Sequence, residues 1–156
     1  MNPEYLKMLQ GLPLFAEFNE KEMEGALDLM DTVEYPVGEC IVKQDEQGDC
    51  MYVLVKGSAR VVHRRNGKEI ELAVLKVGDF FGELALVDSG PRSADVVTLT
   101  PCTMLSIERA ALRAIAGVYP KAAFKLLIAL GRALVQRMRR GNQKYIDSLL
   151  TGTEGD

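Results

Sequence analysis

Three stretches with different hydrophobic rhythm divide the chain. From Pro3 to Met30, apolar residues recur at three- and four-residue spacing in a charged background, as at Met23, Ala26, Leu27 and Met30. That period predicts helices. Asn19 is placed to cap one of them, with Glu20 and Glu22 in its first turn, where negative charge complements the helix dipole. From Thr32 to Ile107 the runs shorten and become alternating or β-branched: CIVKQ, CMYVLVKG, SARVVHRR, KEIELAVLK, SADVVTLT and TMLSIE. Turn-forming segments such as EYPVGE, DEQGD, RRNGKE and KVGD separate them, a rhythm that predicts an all-β sandwich or barrel. Asn66-Gly67 between two such runs is a hairpin signal. Gly38, Gly48, Gly57, Gly67 and Gly78 read as turn residues. The segments between them do not resemble one another, which favours a single jelly-roll-like antiparallel β-barrel over a repeat solenoid.

After Ile107 the helical period returns. Glu108 to Val118 predicts one short helix, and Pro120 suits the first turn of a longer one, where its missing N–H is not needed. Leu127, Leu130, Leu134 and Met138 form a narrow stripe at near-heptad spacing along it. Gly141-Asn142 offers one end to this helix; Tyr145, Ile146 and Leu149 offer a continuation. The TGTEGD tail has no apolar residue and reads as loose. The fold class expected is mainly β with flanking helices (α+β) in a single domain: N-terminal helices over 1–31, the barrel over 32–107 and C-terminal helices over 108–150.

Composition narrows the function. The 156 residues, 47% hydrophobic and 26% charged, describe one globular domain. A net charge of -3 gives no global footprint for nucleic acid, and without Trp a stacking platform for single strands is not expected. Arg132, Arg137, Arg139, Arg140 and Lys144 read as the solvated side of an amphipathic helix. The N-terminus carries acids early and no apolar signal segment. The run AAFKLLIAL is interrupted by Lys125 and too short to span a bilayer, so no membrane association is expected. Cys40, Cys50 and Cys102 form no CxxC pair and read as reduced thiols, which suits the cytoplasm. His63 is the only histidine, and it is expected on a hairpin surface; a histidine-rich metal site is thereby excluded. No nucleophile elbow, Walker loop or HExxH motif occurs. The sequence therefore offers no catalytic residue, no metal site and no cofactor.

One segment asks for a ligand. FFGELALVDSGPRSADV, residues 80–96, sets an acid inside an apolar run and an arginine after a proline turn. Gly82-Glu83-Leu84-Ala85 reads as a strand end turning into a short helix whose free N–H groups suit a phosphate. Gly82 lets backbone approach a ligand closely. Arg92 can return its planar donors to the same phosphate, Ser93 adds a hydroxyl, and Glu83, acceptor-only when ionised, suits a ribose hydroxyl.

FGELAL followed by PRSADV resembles the phosphate-binding cassette of the cyclic nucleotide-binding domain family, F-G-E-x-[AG]-L, a short turn, then R-[STA]-A, with no departure at the diagnostic positions. The resemblance runs from about Leu12 to Arg140 through LPLF, the YPVGE…KGSARV run, the hairpin and the terminal helices. Members include the catabolite activator protein and protein kinase A regulatory subunits. The resemblance implies that Glu83 binds the ribose 2′-hydroxyl and Arg92 the exocyclic phosphate, with backbone of Gly82, Leu84, Ala85 and the Ser93 region completing the cradle. It implies Val61 and Leu72 as the apolar wall beneath the base, and a lid from the long helix, with Arg137 and Met138 the candidates by position. The ligand expected is cAMP, since no guanine-reading residue is evident, with cGMP left open by the Ser93 hydroxyl. No helix-turn-helix, kinase, channel or exchange-factor segment accompanies the domain, so the expectation is a stand-alone regulatory sensor. It would dimerise through its C-terminal helix and relay binding to an unknown effector protein. A structural dimerisation or scaffolding module with an empty or repurposed pocket is the competing expectation.

Overall fold

A computed structural model describes residues 3–88 and 90–151. Helix α1 (Pro3–Gln10), a 3-10 turn (Pro13–Phe15) and α2 (Glu20–Asp28) precede the barrel. The strands are β1 (Asp31–Tyr35), β2 (Cys40–Val42), β3 (Gln47–Gly48), β4 (Cys50–Lys56), β5 (Ala59–Arg65), β6 (Lys68–Leu75), β7 (Phe80–Phe81), β8 (Gly90–Pro91), β9 (Asp95–Thr98) and β10 (Cys102–Glu108). A second 3-10 turn (Glu83–Leu86) follows β7, and α3 (Arg109–Val118) and α4 (Pro120–Thr151) complete the chain. Two antiparallel sheets, ordered β1-β10-β4-β7 and β2-β9-β5-β6, face each other as a jelly roll, and β3 and β8 pair separately.

Strict alternation along β4 explains how the barrel carries two cores. Met51, Val53 and Val55 face the helices and join the larger core with Phe15, Met23, Leu105, Ile107, Ile115 and Leu126. Leu54 faces the other sheet and joins the smaller core with Ala59, Phe81, Val96 and Met104. Phe80 and Phe81 divide the same way, one into each core, so β7 is fixed from both sides just before Gly82.

The Asn66-Gly67 turn forms as expected, with both residues at positive φ between β5 and β6. Asn19 caps α2 and forms a full capping box with Glu22: the Glu22 N–H donates to the Asn19 side chain at 2.8 Å, and the Asn19 N–H donates to Glu22 Oε1 at 3.0 Å. The Lys125 ammonium of α4 reaches the same Oε1 at 2.6 Å, tying the N-terminal helices to the C-terminal one. Burial pushes the Glu22 carboxyl up, but the Asn19 N–H and Lys125 together outweigh it and hold it below its ordinary 4.5. A carboxyl with a depressed folded pKa stabilises the fold above its unfolded pKa, and that stability is lost as pH falls through the folded value. Thermal melts from about pH 6 to pH 3 should show wild type losing more stability than Glu22→Gln; parallel curves would show that this carboxylate carries no pH-dependent stability.

Two points about α4 are decided. It is one 32-residue helix that passes through Gly141-Asn142 to Thr151, so the continuation is the correct alternative. The large-residue stripe divides, part packing on the body and part facing outward. Leu130 is buried, but Leu127 is 48% and Met138 68% exposed, and the face against the body is made by Ala122, Ala123, Leu126 and Leu130. Small alanines let the helix axis approach the body, an inward signal that a search for large side chains misses. The tail, read as loose, lies outside the described residues except for Thr151.

Candidate functional site

Gly82 lies at φ 76°, in the left-handed region, and turns β7 directly into the Glu83–Leu86 3-10 turn. A cavity of about 410 Å³ opens there, bordered by Gly82, Glu83, Leu84, Ala85, Arg92 and Ser93 together with Val87, Asp88, Gly90 and Pro91. All six cassette residues named from sequence thus meet at one cavity.

Arg92 is held from several sides. Its Nη2 donates to the Cys50 carbonyl at 2.8 Å. Its backbone N–H donates to the Glu46 carbonyl and its own carbonyl accepts from the Asp45 N–H, each at 2.8 Å. Asp45 itself sits at φ 71°, an uncommon conformation for a residue with a side chain. The guanidinium lies against two glycines, Gly48 and Gly82, and a Cβ on either would occupy its space. Gly48, expected in a turn, is therefore a strand residue of β3, paired with Gly90, beneath the arginine. Gly48→Ala is expected to displace the Arg92 side chain, which is flexible, rather than break the strand. Anion affinity at the cavity should fall about tenfold with the melting temperature nearly unchanged; equal affinity would show that the arginine does not depend on this contact.

Glu83 is the second polar group, with its side chain 15% exposed. Arg137 of α4 donates Nη1 to Glu83 Oε1 at 2.9 Å and Nη2 to the Phe80 carbonyl at 2.9 Å, and its guanidinium lies 4.3 Å from the Phe80 ring centroid. Arg137 is thus not on the solvated side of its helix, as its place in a basic run suggested. A long side chain with a delocalised charge can cover an aromatic face while pairing at its tip. Of the two lid candidates, Arg137 reaches the site, whereas Met138 is exposed. Arg109, at the start of α3, donates Nη2 to the Ala85 carbonyl at 2.9 Å, so both C-terminal helices touch the cassette through an arginine.

Val61 and Leu72 do not border the cavity. Val61 packs against the smaller core, and Leu72 is 58% exposed. The resemblance implied both as one apolar wall, but a bulge separates them: Val61 lies opposite Ala73 and Val62 opposite Glu71, leaving Leu72 as the extra residue. His63, two residues beyond Val61, does reach the cassette: its Nδ1 lies 2.8 Å from the Ser93 carbonyl. Sequence reading missed Gly48, the Cys50 carbonyl, His63 and Arg109, whose roles depend on contacts 24 to 44 residues apart along the chain. Among the described residues no group of three or more His, Cys, Asp or Glu side chains could hold a metal ion, and no helix is long and apolar enough to cross a membrane.

Comparison with known proteins agrees with this geometry. Residues 32–119 match the model of the cyclic nucleotide-binding domain. The CRP-like cAMP-activated global transcriptional regulator of Mycobacterium tuberculosis is 32% identical over 127 residues, covering 81% of this chain and 55% of the regulator. The cAMP-dependent protein kinase regulatory subunit of Aspergillus niger is 33% identical over 113 residues, covering 72% of this chain and 27% of the subunit. The chain therefore spans about half the length of the first relative and about a quarter of the second. The catabolite activator protein of Thermus thermophilus superposes with a TM-score of 0.77 at 29% identity, over 89% of this chain and 63% of that one. A cyclic nucleotide-binding domain from Methylobacillus flagellatus superposes with a TM-score of 0.80 at 25% identity, over 93% and 82%. With the family pattern covering the barrel and its cassette, and with both groups of relatives above 30% identity, this chain belongs to the cyclic nucleotide-binding domain family.

Proposed function

We propose that the chain binds a cyclic nucleotide, with cAMP preferred, in the cavity beside the 3-10 turn, and relays binding through α4 to a partner. One observation carries the reading: an arginine seated on two glycines and a largely buried carboxylate border the same cavity, groups that suit a phosphate and a sugar hydroxyl. Arg92 and the Ser93 region take the phosphate, with backbone of Gly82, Leu84 and Ala85. Glu83 takes the ribose hydroxyl, and Arg137 closes that end from α4. Val61 lies on the same face of β5 as His63, which touches Ser93, so Val61 supplies apolar surface where the base extends beyond the cavity. The preference for cAMP follows the relatives whose names specify it. Equilibrium titration with fluorescent cAMP and cGMP tests the reading. Saturable binding displaced by unlabelled cAMP supports it, absence of binding to either sinks it, and a tenfold preference for cGMP overturns the choice of base.

The assembly proposed is a homodimer through α4. On its exposed face Phe124, Ile128, Gly131, Val135, Met138, Asn142, Tyr145 and Leu149 alternate at four- and three-residue spacing. This is a heptad-spaced seam with Ile128, Val135, Asn142 and Leu149 at one core position, the spacing by which two helices pair along their length. Such a seam also suits a purely structural dimerisation module, and the titration separates the two readings. A chain cut before Gln136 loses both Arg137 and half of the seam. It should bind cAMP more weakly and sediment with a smaller dimer fraction; unchanged affinity and unchanged sedimentation would show that α4 is neither latch nor seam.

A further inference from the structure

We infer that His63 is a positioning residue for the anion-binding wall, acting through the Ser93 carbonyl; the inference rests on the cyclic nucleotide reading above. The geometry is local. The Arg92 carbonyl accepts from the Asp45 N–H, which fixes the peptide plane before Ser93. Because a trans peptide directs its N–H opposite to its carbonyl, that bond turns the Ser93 N–H away from the Asp45–Glu46 loop. The plane after Ser93 is fixed by one side chain, the His63 imidazole, whose Nδ1 lies 2.8 Å from the Ser93 carbonyl. With both flanking planes pinned, the two backbone dihedrals of Ser93 are set, and with them the direction in which its Cα–Cβ bond leaves the chain.

The position of His63 is itself over-determined. On the next residue of β5, Gln44 bonds both backbone groups of Arg64: its Nε2 donates to the Arg64 carbonyl at 2.9 Å, and its Oε1 accepts from the Arg64 N–H at 2.8 Å. The Arg64 guanidinium pairs with the buried Asp95 at 3.0 Å, and Asp95 accepts from the Gln44 N–H at 2.7 Å. Residues 93 and 95 of the cassette exit are therefore both tied to consecutive residues of β5. Since a carbonyl can only accept, Nδ1 carries the hydrogen of this bond. An imidazole is short and has two rotatable bonds, so it can hold a carbonyl more rigidly than a longer donor.

The test uses geometry to separate a clamp from bulk. The amide nitrogen of Asn can take the place of Nδ1, whereas that of Gln lies one bond further out. In the full chain, His63→Ala and His63→Gln are expected to weaken fluorescent cAMP binding about three- to tenfold, with His63→Asn within about twofold of wild type and all four melting temperatures close together. Unchanged affinity in His63→Ala, or equal losses in the Ala and Asn variants, would overturn the assignment. Hydrogen exchange without ligand gives a second readout: backbone amides of residues 92–95 should exchange faster in His63→Ala than in wild type or His63→Asn. If wild type bound no nucleotide, the functional reading would fail while exchange still decided the clamp, and identical exchange in all variants would overturn it.

Discussion

Arg92→Ala is expected to abolish most nucleotide affinity while leaving the domain folded. Removing one member of a charge pair at a partly desolvated site costs ~2–5 kcal/mol, or about 30-fold to several thousandfold in Kd. The fold should survive because the arginine contributes to no apolar core. Its guanidinium donates to the Cys50 carbonyl, and it otherwise rests on glycines. The backbone bonds that hold the cassette to the Asp45–Glu46 loop do not involve its side chain. Titration of the purified variant, with a thermal melt as fold control, is the measurement. A folded variant with wild-type affinity would remove the phosphate from this end of the cavity.

The second large effect concerns the sugar. Glu83→Gln should weaken cAMP binding by ~1–3 kcal/mol while changing the affinity for 2′-deoxy-cAMP much less, so that the ratio between the two ligands falls toward one. A site that pairs a hydroxyl loses most when that partner is missing, whichever side the loss comes from. The ion pair with Arg137 makes a companion variant informative. Arg137→Ala leaves the carboxylate in place to accept the hydroxyl, so it should lower affinity for both ligands and preserve their ratio. If Glu83→Gln lowered both affinities equally, the carboxylate would serve the helix contact alone.

Much of the site was legible because the cassette is contiguous. Gly82 to Ala85 and Arg92 to Ser93 come together through local turns, whose requirements are written in neighbouring residues: a left-handed Gly, a short 3-10 turn, a proline before the arginine. The capping box at Asn19 and the hairpin at Asn66-Gly67 were readable for the same reason. Illegible features depended on distant partners. Gly48 looked like one more turn glycine until β3 was seen to run beneath Arg92. Arg137 looked solvated because four other basic residues surround it in sequence, and only the packing of α4 shows that it lies over Phe80. Leu72 was carried over from the family resemblance, and a bulge shifts the register at that residue. The continuation of α4 through Gly141 was open because a single glycine costs a helix about 1 kcal/mol, which does not by itself end it.

The length of α4 has a mechanical consequence. Arg137 lies 17 positions past Pro120, so at 1.5 Å per residue the latch on Glu83 sits roughly 25 Å along the rod. Another 14 positions, roughly 21 Å, extend beyond it. Over that outer segment, from Met138 to Leu150, every side chain except Ser148 is exposed. A rigid rod bending past its last buried contact, Leu130, multiplies any sideways displacement at Arg137 by roughly 3 at its tip. A shift of about 1 Å where the guanidinium meets the cassette would carry the far end about 3 Å, enough to change which side chains meet on a neighbouring surface.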